Sequence, residues 1–261
     1  MTGAGRGFGS AIAQRLAGRG YAVLATDLDA DAAAATAARV GGRAMELDVR
    51  DPEAHRAAAR TAAEAGPLEV WVNNAGVMHP GPAWEHSDGE VRLACEVNML
   101  GVVWGSRAAV DAMRGGGGQN RHIVNIGSLA ALGPVPGLAL YAATKHAVLG
   151  FTGSLQGDLM DAGIDIAVHA LCPDAADTRL LRQHDHEPAA AINWSGPRLL
   201  TADEVAEHAV ALLDSRRVVR VVPPWRGWGA RAMAIGGRAA LRSAPLLRKQ
   251  GARHRVAFRD Q

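Results

Sequence analysis

Cysteine, lysine and tyrosine are scarce in this chain. Its 261 residues include two cysteines, Cys95 and Cys172, and two tyrosines. Two cysteines do not make a disulfide framework, so we expect both to be small buried residues in a reducing compartment. No apolar run approaches the length of a membrane span, and no charged segment followed by an apolar core marks a signal peptide. These features predict a cytoplasmic protein without a transmembrane helix.

Basic charge is concentrated toward the C-terminus. The formal net charge is +2, but the segment from Arg226 to Gln261 holds nine Lys or Arg against one acid, Asp260. Apolar residues alternate with these arginines, a pattern typical of a basic amphipathic helix on an anionic membrane. The segment has two other interpretations: an oligomer contact, or a solvated flap over an active site. No nucleic-acid recognition module is present. We divide the chain into a domain over 1–222 and a basic extension over 223–261.

Short apolar runs alternate with helical segments along the first 222 residues. The strand candidates end near residues 27, 48, 72, 126, 171 and 222. The helical candidates lie at 31–40, 52–65, 90–113 and 141–162, with another opening at the capping box 201–204. A flexible loop is expected at 115–118 and a long functional loop at 179–200. This order predicts an α/β fold with a parallel sheet covered on both faces.

A glycine-rich stretch opens the chain. Thr2-Gly3, Gly7 and Gly9 precede a helical segment. Glycines at such a turn let the backbone approach a pyrophosphate, whose charge sits at the helix N-terminus. Taken alone, the pattern is equally compatible with a plain turn.

A tyrosine and a lysine stand one helical turn apart. Tyr141 and Lys145 share a face of the predicted helix because they are separated by four residues. Tyrosine is a poor base at neutral pH, and a nearby ammonium lowers its pKa. Lys145 is one of two lysines in an arginine-rich chain, and its ammonium is more compact than a guanidinium. An exposed aromatic–cation pair is the structural alternative.

These motifs, together with Asn73-Asn74-Ala75-Gly76, Asn98 and Ser128 in that order and spacing, resemble the short-chain dehydrogenase/reductase family. The resemblance is close and runs from Thr2 to about Val222. It implies a doubly wound Rossmann fold, a homodimer or homotetramer, and hydride transfer between NAD(P) and an alcohol or carbonyl.

The resemblance also implies a role for each motif residue. Tyr141 would be the general acid/base, and Lys145 would lower its pKa and hold the nicotinamide ribose. Ser128 would hydrogen-bond the substrate oxygen, and Asn98 would hold a proton-relaying water. The implied cofactor-binding residues are Gly3, Arg6, Gly7, Phe8, Gly9, Asp27, Asp48, Val49, Asn74, Ala75, Gly76, Tyr141, Lys145, Pro173 and Thr178.

Two charged residues bear on the choice between NAD and NADP. Asp27 ends the second strand of the family fold, where an acid binds the ribose hydroxyls and repels a 2′-phosphate. Arg6 lies inside the glycine motif, where a basic residue can meet a 2′-phosphate. We give Asp27 the greater weight and expect NAD, with NADP possible.

Besides the basic extension over 223–261, the sequence departs from the family pattern at two places. The family has its central strand before the glycine motif, where this sequence has Met1. We expect either a longer N-terminus, with Met1 standing at a valine start codon, or a truncation that weakens the protein. Where the family usually has Pro-Gly, this chain has Pro173-Asp174, which puts an acidic side chain near the nicotinamide.

The expected function is oxidation of a secondary alcohol or reduction of a ketone with NAD(P). Four residues stand where the family lines its substrate pocket and indicate a fairly apolar substrate: Met78, His79, Leu138 and Trp194. A non-redox enzyme on the same fold, such as an epimerase or cyclase, and a non-catalytic cofactor-binding protein are the alternatives. The His184-x-His186 pattern is expected to be solvated, and no metal site is predicted.

Overall fold

Six parallel strands form two sheets in the part of the chain that the structure, a computed structural model, describes: residues 1–116 and 119–259. Part of the loop predicted at 115–118 and the end of the C-terminal extension fall outside these ranges. The strands are β1 Leu24–Asp27, β2 Arg43–Glu46, β3 Val70–Asn73, β4 His122–Ile126, β5 Ala167–Pro173 and β6 Val219–Val222. One sheet pairs β1 with β2, and the other has the order β3-β4-β5-β6. All pairs are parallel, which confirms the predicted α/β fold.

Helices connect and cover the strands. They are α1 Gly7–Gly18, α2 Ala30–Val40, α3 Pro52–Ala63, α4 Asp88–Cys95, α5 Gly101–Gly115, α6 Ala139–Asp161, α7 Arg179–Arg182, α8 Ala202–Val210, α9 Pro224–Ile235, α10 Gly237–Leu241 and α11 Ala244–Arg259. Side-chain caps start several of them: Asp29 caps α2, Asp51 caps α3, and Ser87 and Thr201 form capping boxes on α4 and α8. Each cap satisfies an N–H group that the first helical turn leaves unpaired.

Met1 and Thr2 lie between the two sheets. The Met1 amine donates to the carbonyl of Leu24 at 2.9 Å, and the N–H of Thr26 donates to the Met1 carbonyl at 3.0 Å. On the other side, the N–H of Thr2 donates to the carbonyl of Val72 at 3.0 Å. These two residues therefore join β1 to β3 and carry the chain into the glycine turn.

Two hydrophobic cores cover the two faces of the larger sheet. On one face, Ile12 and Leu16 of α1 pack with Leu171 of β5 and Val205 of α8. On the other face, the core is built from Trp71, Met113, Ile123, Leu159 and Val168. The central strands β4 and β5 are buried on both faces, as their continuous apolar runs predict.

Two segments differ in detail from the sequence-based expectation. The single helix expected at 90–113 contains a π-helical turn, Glu96–Leu100, between α4 and α5. The loop expected at 179–200 contains α7 and a 3₁₀ turn, Ala189–Trp194. Asn98 lies in the π-helical turn, and Trp194 ends the 3₁₀ turn, so both segments hold predicted site residues.

A chain of hydrogen bonds between buried histidines crosses β4 and β5. His122 Nδ1 lies 2.9 Å from His169 Nε2, and His169 Nδ1 lies 2.7 Å from the carbonyl oxygen of Arg217. His122 Nε2 contacts the side chain of Asn120 at 2.9 Å. Burial lowers the pKa of His122 to about 4, with His169 and Arg216 adding to the effect.

Acid should destabilise the fold through this histidine pair. His122 has an ordinary pKa of 6.5 and a folded-state pKa of about 4. The unfolded chain therefore binds the extra proton between these values. We expect the free energy of unfolding to fall by about 3 kcal/mol from this group as the pH drops through that range. Urea unfolding of the wild type and His122→Leu at several pH values isolates the effect. Equal pH dependence in both proteins would contradict the assignment.

Candidate active site

One cavity of about 1080 Å³ opens at the carboxyl ends of the parallel strands. Its wall includes Asp27 from the end of β1, Asn74 after β3, Ser128 after β4 and Asp174 after β5. Ligands of open α/β sheets bind in a crevice at this edge. All predicted catalytic and cofactor-binding residues except Gly9 and Asn98 line the cavity, and of the four predicted substrate-pocket residues Met78 and Leu138 do so. The cavity is therefore the candidate active site.

The start of α1 is suited to a negatively charged group. Arg6 is the N-cap residue, but its side chain does not cap the helix, and the first turn has no acidic residue. A Cβ atom on Gly9 would lie 2.0 Å from the carbonyl oxygen of Gly3, so a larger residue does not fit. Gly3 and Gly7 have φ angles of 60° and 51°, which favour glycine. The residues present thus fit the pyrophosphate of a dinucleotide at the positive end of the helix dipole.

Asn74 holds the glycine turn in place. Its side-chain amide donates to the carbonyl oxygen of Gly3 at 2.7 Å and to that of Thr2 at 3.2 Å. The Thr2 hydroxyl accepts the N–H of Asn74 at 3.1 Å. The predicted contact residue Asn74 therefore also acts as a brace between the glycine turn and the end of β3.

Two carboxylates and one guanidinium face the cavity beyond β1. Asp27 accepts the N–H of Gly5 at 2.8 Å and the N–H of Asp29 at 3.1 Å. Asp29 forms an ion pair with Arg6. The guanidinium that could bind a 2′-phosphate is therefore already engaged by a carboxylate. Sequence reasoning missed Asp29, whose only signal was its position two residues after the strand.

Asp48 and Val49 follow β2, where the adenine was expected. The carboxylate of Asp48 accepts a hydrogen bond from Arg50 Nε at 2.9 Å, and this bond is the largest cause lowering the pKa of Asp48. Val49 is buried in the cavity wall. Both residues line the cavity, and their contact with the adenine stays a prediction. Arg50 is an addition that the sequence did not single out.

Tyr141 and Lys145 lie on α6 with their side chains in the cavity. Lys145 is 4% exposed, and its Nζ donates to the carbonyl oxygen of Ile126 at 2.9 Å. Ser128 follows β4, caps the short turn after it and lies close enough to Tyr141 to lower the pKa of the phenol. Tyr141 and Lys145 from one helix and Ser128 from the end of one strand thus lie in the same cavity, as predicted.

Burial sets the proton affinities of both α6 groups. The pKa of Tyr141 is raised to about 12, chiefly because burial disfavours the phenolate, while the hydrogen bond with Ser128 opposes this shift. The pKa of Lys145 is lowered to about 8 because burial disfavours the ammonium. The shift of Tyr141 is therefore opposite to the one expected from its spacing to Lys145. Lost hydration outweighs an ammonium 5.6 Å from the ring centre.

Asn98 is fully buried in the π-helical turn. Its Oδ1 accepts the N–H of Val77 at 2.8 Å, and its Nδ2 donates to the Val77 carbonyl at 2.9 Å. Nδ2 also donates to Thr144 Oγ1 at 3.1 Å. Asn98 thus ties the segment after Gly76 to α6 one residue before Lys145. Its expected role in holding a water stays a prediction.

Pro173 and Thr178 flank the remaining end of the cavity, where the nicotinamide was expected. Thr178 caps α7 by accepting the N–H of Leu181 at 3.4 Å. A Cβ atom on Gly7 would lie 3.7 Å from Thr178 Cγ2, so Thr178 stands beside the glycine turn. Thr178 therefore lies between the glycine turn and the start of the 179–200 loop.

Asp174, the residue that departs from the family pattern, is held by an arginine of the C-terminal extension. Arg226 Nε donates to Asp174 Oδ2 at 2.6 Å, and Arg226 Nη2 donates to the hydroxyl of Ser195 at 3.2 Å. The Asp174 and Arg226 side chains are 11% and 19% exposed. One near-buried ion pair therefore connects the end of β5, the 179–200 loop and α9.

One part of the cavity wall is apolar and combines predicted with unpredicted residues. Met78 and Leu138 line it as expected, and Trp194 packs behind them in the same hydrophobic cluster. His79 has a buried Nδ1 without a hydrogen-bond partner among the described residues. Further lining residues that sequence reasoning missed are Leu180, Leu181, Ile192, Asn193, Trp225, Arg226, Met233 and Leu247.

The C-terminal extension takes part in the cavity wall. A Cβ atom on Gly133 would lie 2.1 Å from the carbonyl oxygen of Ala230 in α9, and one on Gly251 of α11 would lie 1.9 Å from that of Ala191. His254 and Arg255 of α11 also contact backbone carbonyls of the 179–200 loop. These close contacts between the backbones of the extension and the rest of the chain support the interpretation of the extension as a flap over the site.

The His184-x-His186 stretch forms no metal site in the described residues. No group of three His, Cys, Asp or Glu side chains there could hold a metal ion. His184 Nδ1 instead contacts Glu187 Oε1 at 2.6 Å.

Comparison with known proteins agrees with this geometry. The family model for short chain dehydrogenases matches residues 1–189, and the chain belongs to that family. It is 36% identical over 225 residues to the 1-deoxy-11-beta-hydroxypentalenate dehydrogenase of Streptomyces exfoliatus, covering 83% of this chain and 79% of that protein. It is 31% identical over 249 residues to the probable oxidoreductase EphD of Mycobacterium tuberculosis, covering 86% of this chain and 40% of that protein.

A solved structure has the same fold. The short chain dehydrogenase/reductase of Burkholderia phymatum in complex with NAD is similar with a TM-score of 0.78 and 31% identity, covering 88% of this chain and 90% of that one. The chain is thus an NAD(P)-dependent oxidoreductase of this family. In the described residues, no helix combines the length and hydropathy needed to cross a membrane.

Proposed function

We propose that this protein is an NAD-preferring dehydrogenase/reductase that interconverts an apolar secondary alcohol and the corresponding ketone. The proposal rests on one observation. Tyr141, Ser128 and Lys145 line the same cavity as the glycine turn, where no side chain caps α1. The bound nicotinamide supplies the chemistry of hydride exchange.

The protein's own residues handle the proton. In the oxidative direction, the alcohol hydroxyl gives its proton to the Tyr141 oxygen, while Ser128 donates a hydrogen bond to the substrate oxygen. In the reductive direction, Tyr141 returns the proton to the same oxygen. Lys145, fixed by the Ile126 carbonyl, places a positive charge near this exchange. The apolar wall around Met78 and Leu138 excludes water from it.

The preference for NAD rests on the carboxylates after β1. Asp27 and Asp29 place two negative charges at the cavity wall near the ribose, which would repel a 2′-phosphate. Arg6 could attract that phosphate only by leaving Asp29. This arrangement supports the expectation that Asp27, rather than Arg6, determines the cofactor preference.

Removing these carboxylates should shift the cofactor preference. We expect Asp27→Ala to weaken NADH binding, and Asp29→Ala to release Arg6 and tighten NADPH binding by about tenfold, or ~1.4 kcal/mol. Fluorescence titration with both cofactors measures the change. Asp31→Ala, an exposed acid in the first turn of α2, is the matched control. Stronger binding of NADPH than NADH by the wild type would contradict the proposal.

A screen of ketones and alcohols tests the reaction itself. We expect cofactor absorbance to change with apolar secondary alcohols or their ketones. A substrate that is converted with no net absorbance change would instead identify the non-redox alternative. Cofactor binding without conversion of any compound would favour the non-catalytic one.

A further inference from the structure

We propose that the outer face of the C-terminal arm, defined as residues 224–259, binds an anionic membrane surface. Eleven large apolar side chains are exposed in the described part of the chain, and seven belong to this arm. These seven are Trp225, Trp228, Ile235, Leu241, Leu246, Val256 and Phe258. Such a concentration in a short segment marks an interaction surface.

The exposed side chains of α9 lie on one face. At about 100° per residue, Trp225, Trp228 and Ile235 fall within roughly 80° of arc. Their exposed fractions are 57%, 72% and 88%. The opposite face, with Gly227 and Ala230, packs closely on the catalytic domain. The helix therefore has one face against the protein and an aromatic outer face, and tryptophan is favoured at membrane interfaces.

Helix α11 repeats this arrangement with added positive charge. Leu246, Lys249, Arg253 and Val256 fall within roughly 80° of arc and are all exposed. On the opposite side, Gly251 packs against the backbone of the 179–200 loop. The outer face thus mixes apolar and basic side chains, as interfacial helices do.

Charge decides which partner fits this surface. The segment from Arg226 to Gln261 has nine basic residues against one acid. Arg226 is paired with Asp174. The exposed basic residues in the described part of this segment are Arg231, Arg238, Arg242, Lys249 and Arg253. A second copy of the same face would bring these like charges together, which disfavours a symmetric contact. An anionic bilayer accepts both the tryptophans and the arginines, and each basic residue near its surface contributes to binding.

The surface also adjoins the site. Trp225, Met233 and Leu247 of the arm line the cavity, so the apolar wall continues from the cavity to the outer face. If the proposed function holds, this continuity gives a bilayer-dissolved apolar substrate a path to the cavity. Membrane binding itself does not depend on that function.

Vesicle sedimentation with the full chain tests the proposal. We expect binding to vesicles of phosphatidylcholine mixed with phosphatidylglycerol, weak binding to phosphatidylcholine alone, and weaker binding at high salt. Trp228→Ser combined with Ile235→Ser should reduce the affinity at least about tenfold. Trp84→Ser, which changes an 84% exposed tryptophan outside the arm, is the matched control and should have no effect.

A second pair of variants tests the charge. Lys249→Glu combined with Arg253→Glu should abolish the preference for anionic vesicles while the cofactor titration stays unchanged. The proposal is overturned if the full chain does not sediment with anionic vesicles, or if Trp84→Ser weakens binding as much as the arm variants. It is equally overturned if the α9 variants convert an oligomer to a monomer and vesicle binding is absent, since the face is then a subunit interface.

Discussion

Tyr141→Phe should lower kcat by about 10²- to 10⁴-fold and leave the affinity for NADH nearly unchanged. The substitution removes one hydroxyl from the cavity, and with it the group that exchanges a proton with the substrate oxygen. The ring remains, so the packing around α6 is preserved. Steady-state kinetics and cofactor titration on the same preparation measure the two quantities separately.

The second tyrosine of the chain provides the control. Tyr21→Phe removes the same atom outside the cavity, where Tyr21 packs against the core around α1. We expect its kcat to match the wild type. Wild-type turnover by Tyr141→Phe would refute the acid/base assignment, whereas loss of NADH binding would show that the variant acts through the cofactor site.

The acid/base role also gives the direction of the pH dependence. In the proposed mechanism, oxidation needs the deprotonated Tyr141 and reduction needs the protonated form. Because burial raises the pKa of Tyr141 to about 12, the phenolate fraction increases with pH across the neutral and alkaline range. We therefore expect kcat for oxidation to rise with pH and kcat for reduction not to rise.

Arg226→Met should cost about 3 kcal/mol of folding stability and raise KM for the substrate. The change removes the cationic partner of the Asp174 carboxylate, which is 11% exposed. Asp174 lines the cavity, so its unpaired charge would lie in the wall of the site. The substitution also frees the Ser195 hydroxyl from Arg226 and so loosens the 179–200 loop. Urea unfolding and substrate kinetics measure both effects.

A double-mutant cycle separates the loss of the Asp174–Arg226 ion pair from other destabilising effects of the substitutions. Asp174→Gly installs the residue usual in the family, so Asp174→Gly combined with Arg226→Met should recover stability and KM relative to Arg226→Met alone. Arg238→Met, at an exposed position of α10, is the control for losing an arginine from the arm. Strict additivity of the two single variants would show that Asp174 and Arg226 are not coupled.

Local chemistry made much of the site predictable. The glycine spacing, the Tyr141–Lys145 spacing and the strand ends at Asp27 and Asp48 each follow from one short stretch, and the structure brings them to one cavity. The fold followed from the alternation of strands and helices in the same way. Secondary structure places such residues without knowledge of distant contacts.

Long-range contacts were not predictable. The pairing of Asp174 with Arg226 joins residues 52 positions apart, and nothing in either local sequence indicates the other. Asp29 was overlooked because its partner Arg6 lies 23 residues away. The upward pKa shift of Tyr141 depends on burial by the whole cavity, whereas the sequence revealed only the neighbouring charge of Lys145.

The wall contributed by Trp225, Arg226, Met233 and Leu247 also bears on the order of events during synthesis. Every strand of the described sheets is complete in sequence by Val222. The ribosome therefore delivers the sheet and Tyr141 before it delivers the residues that close the cavity. A nascent chain can build the framework first, and the pocket acquires its substrate-side boundary only when the later helices dock.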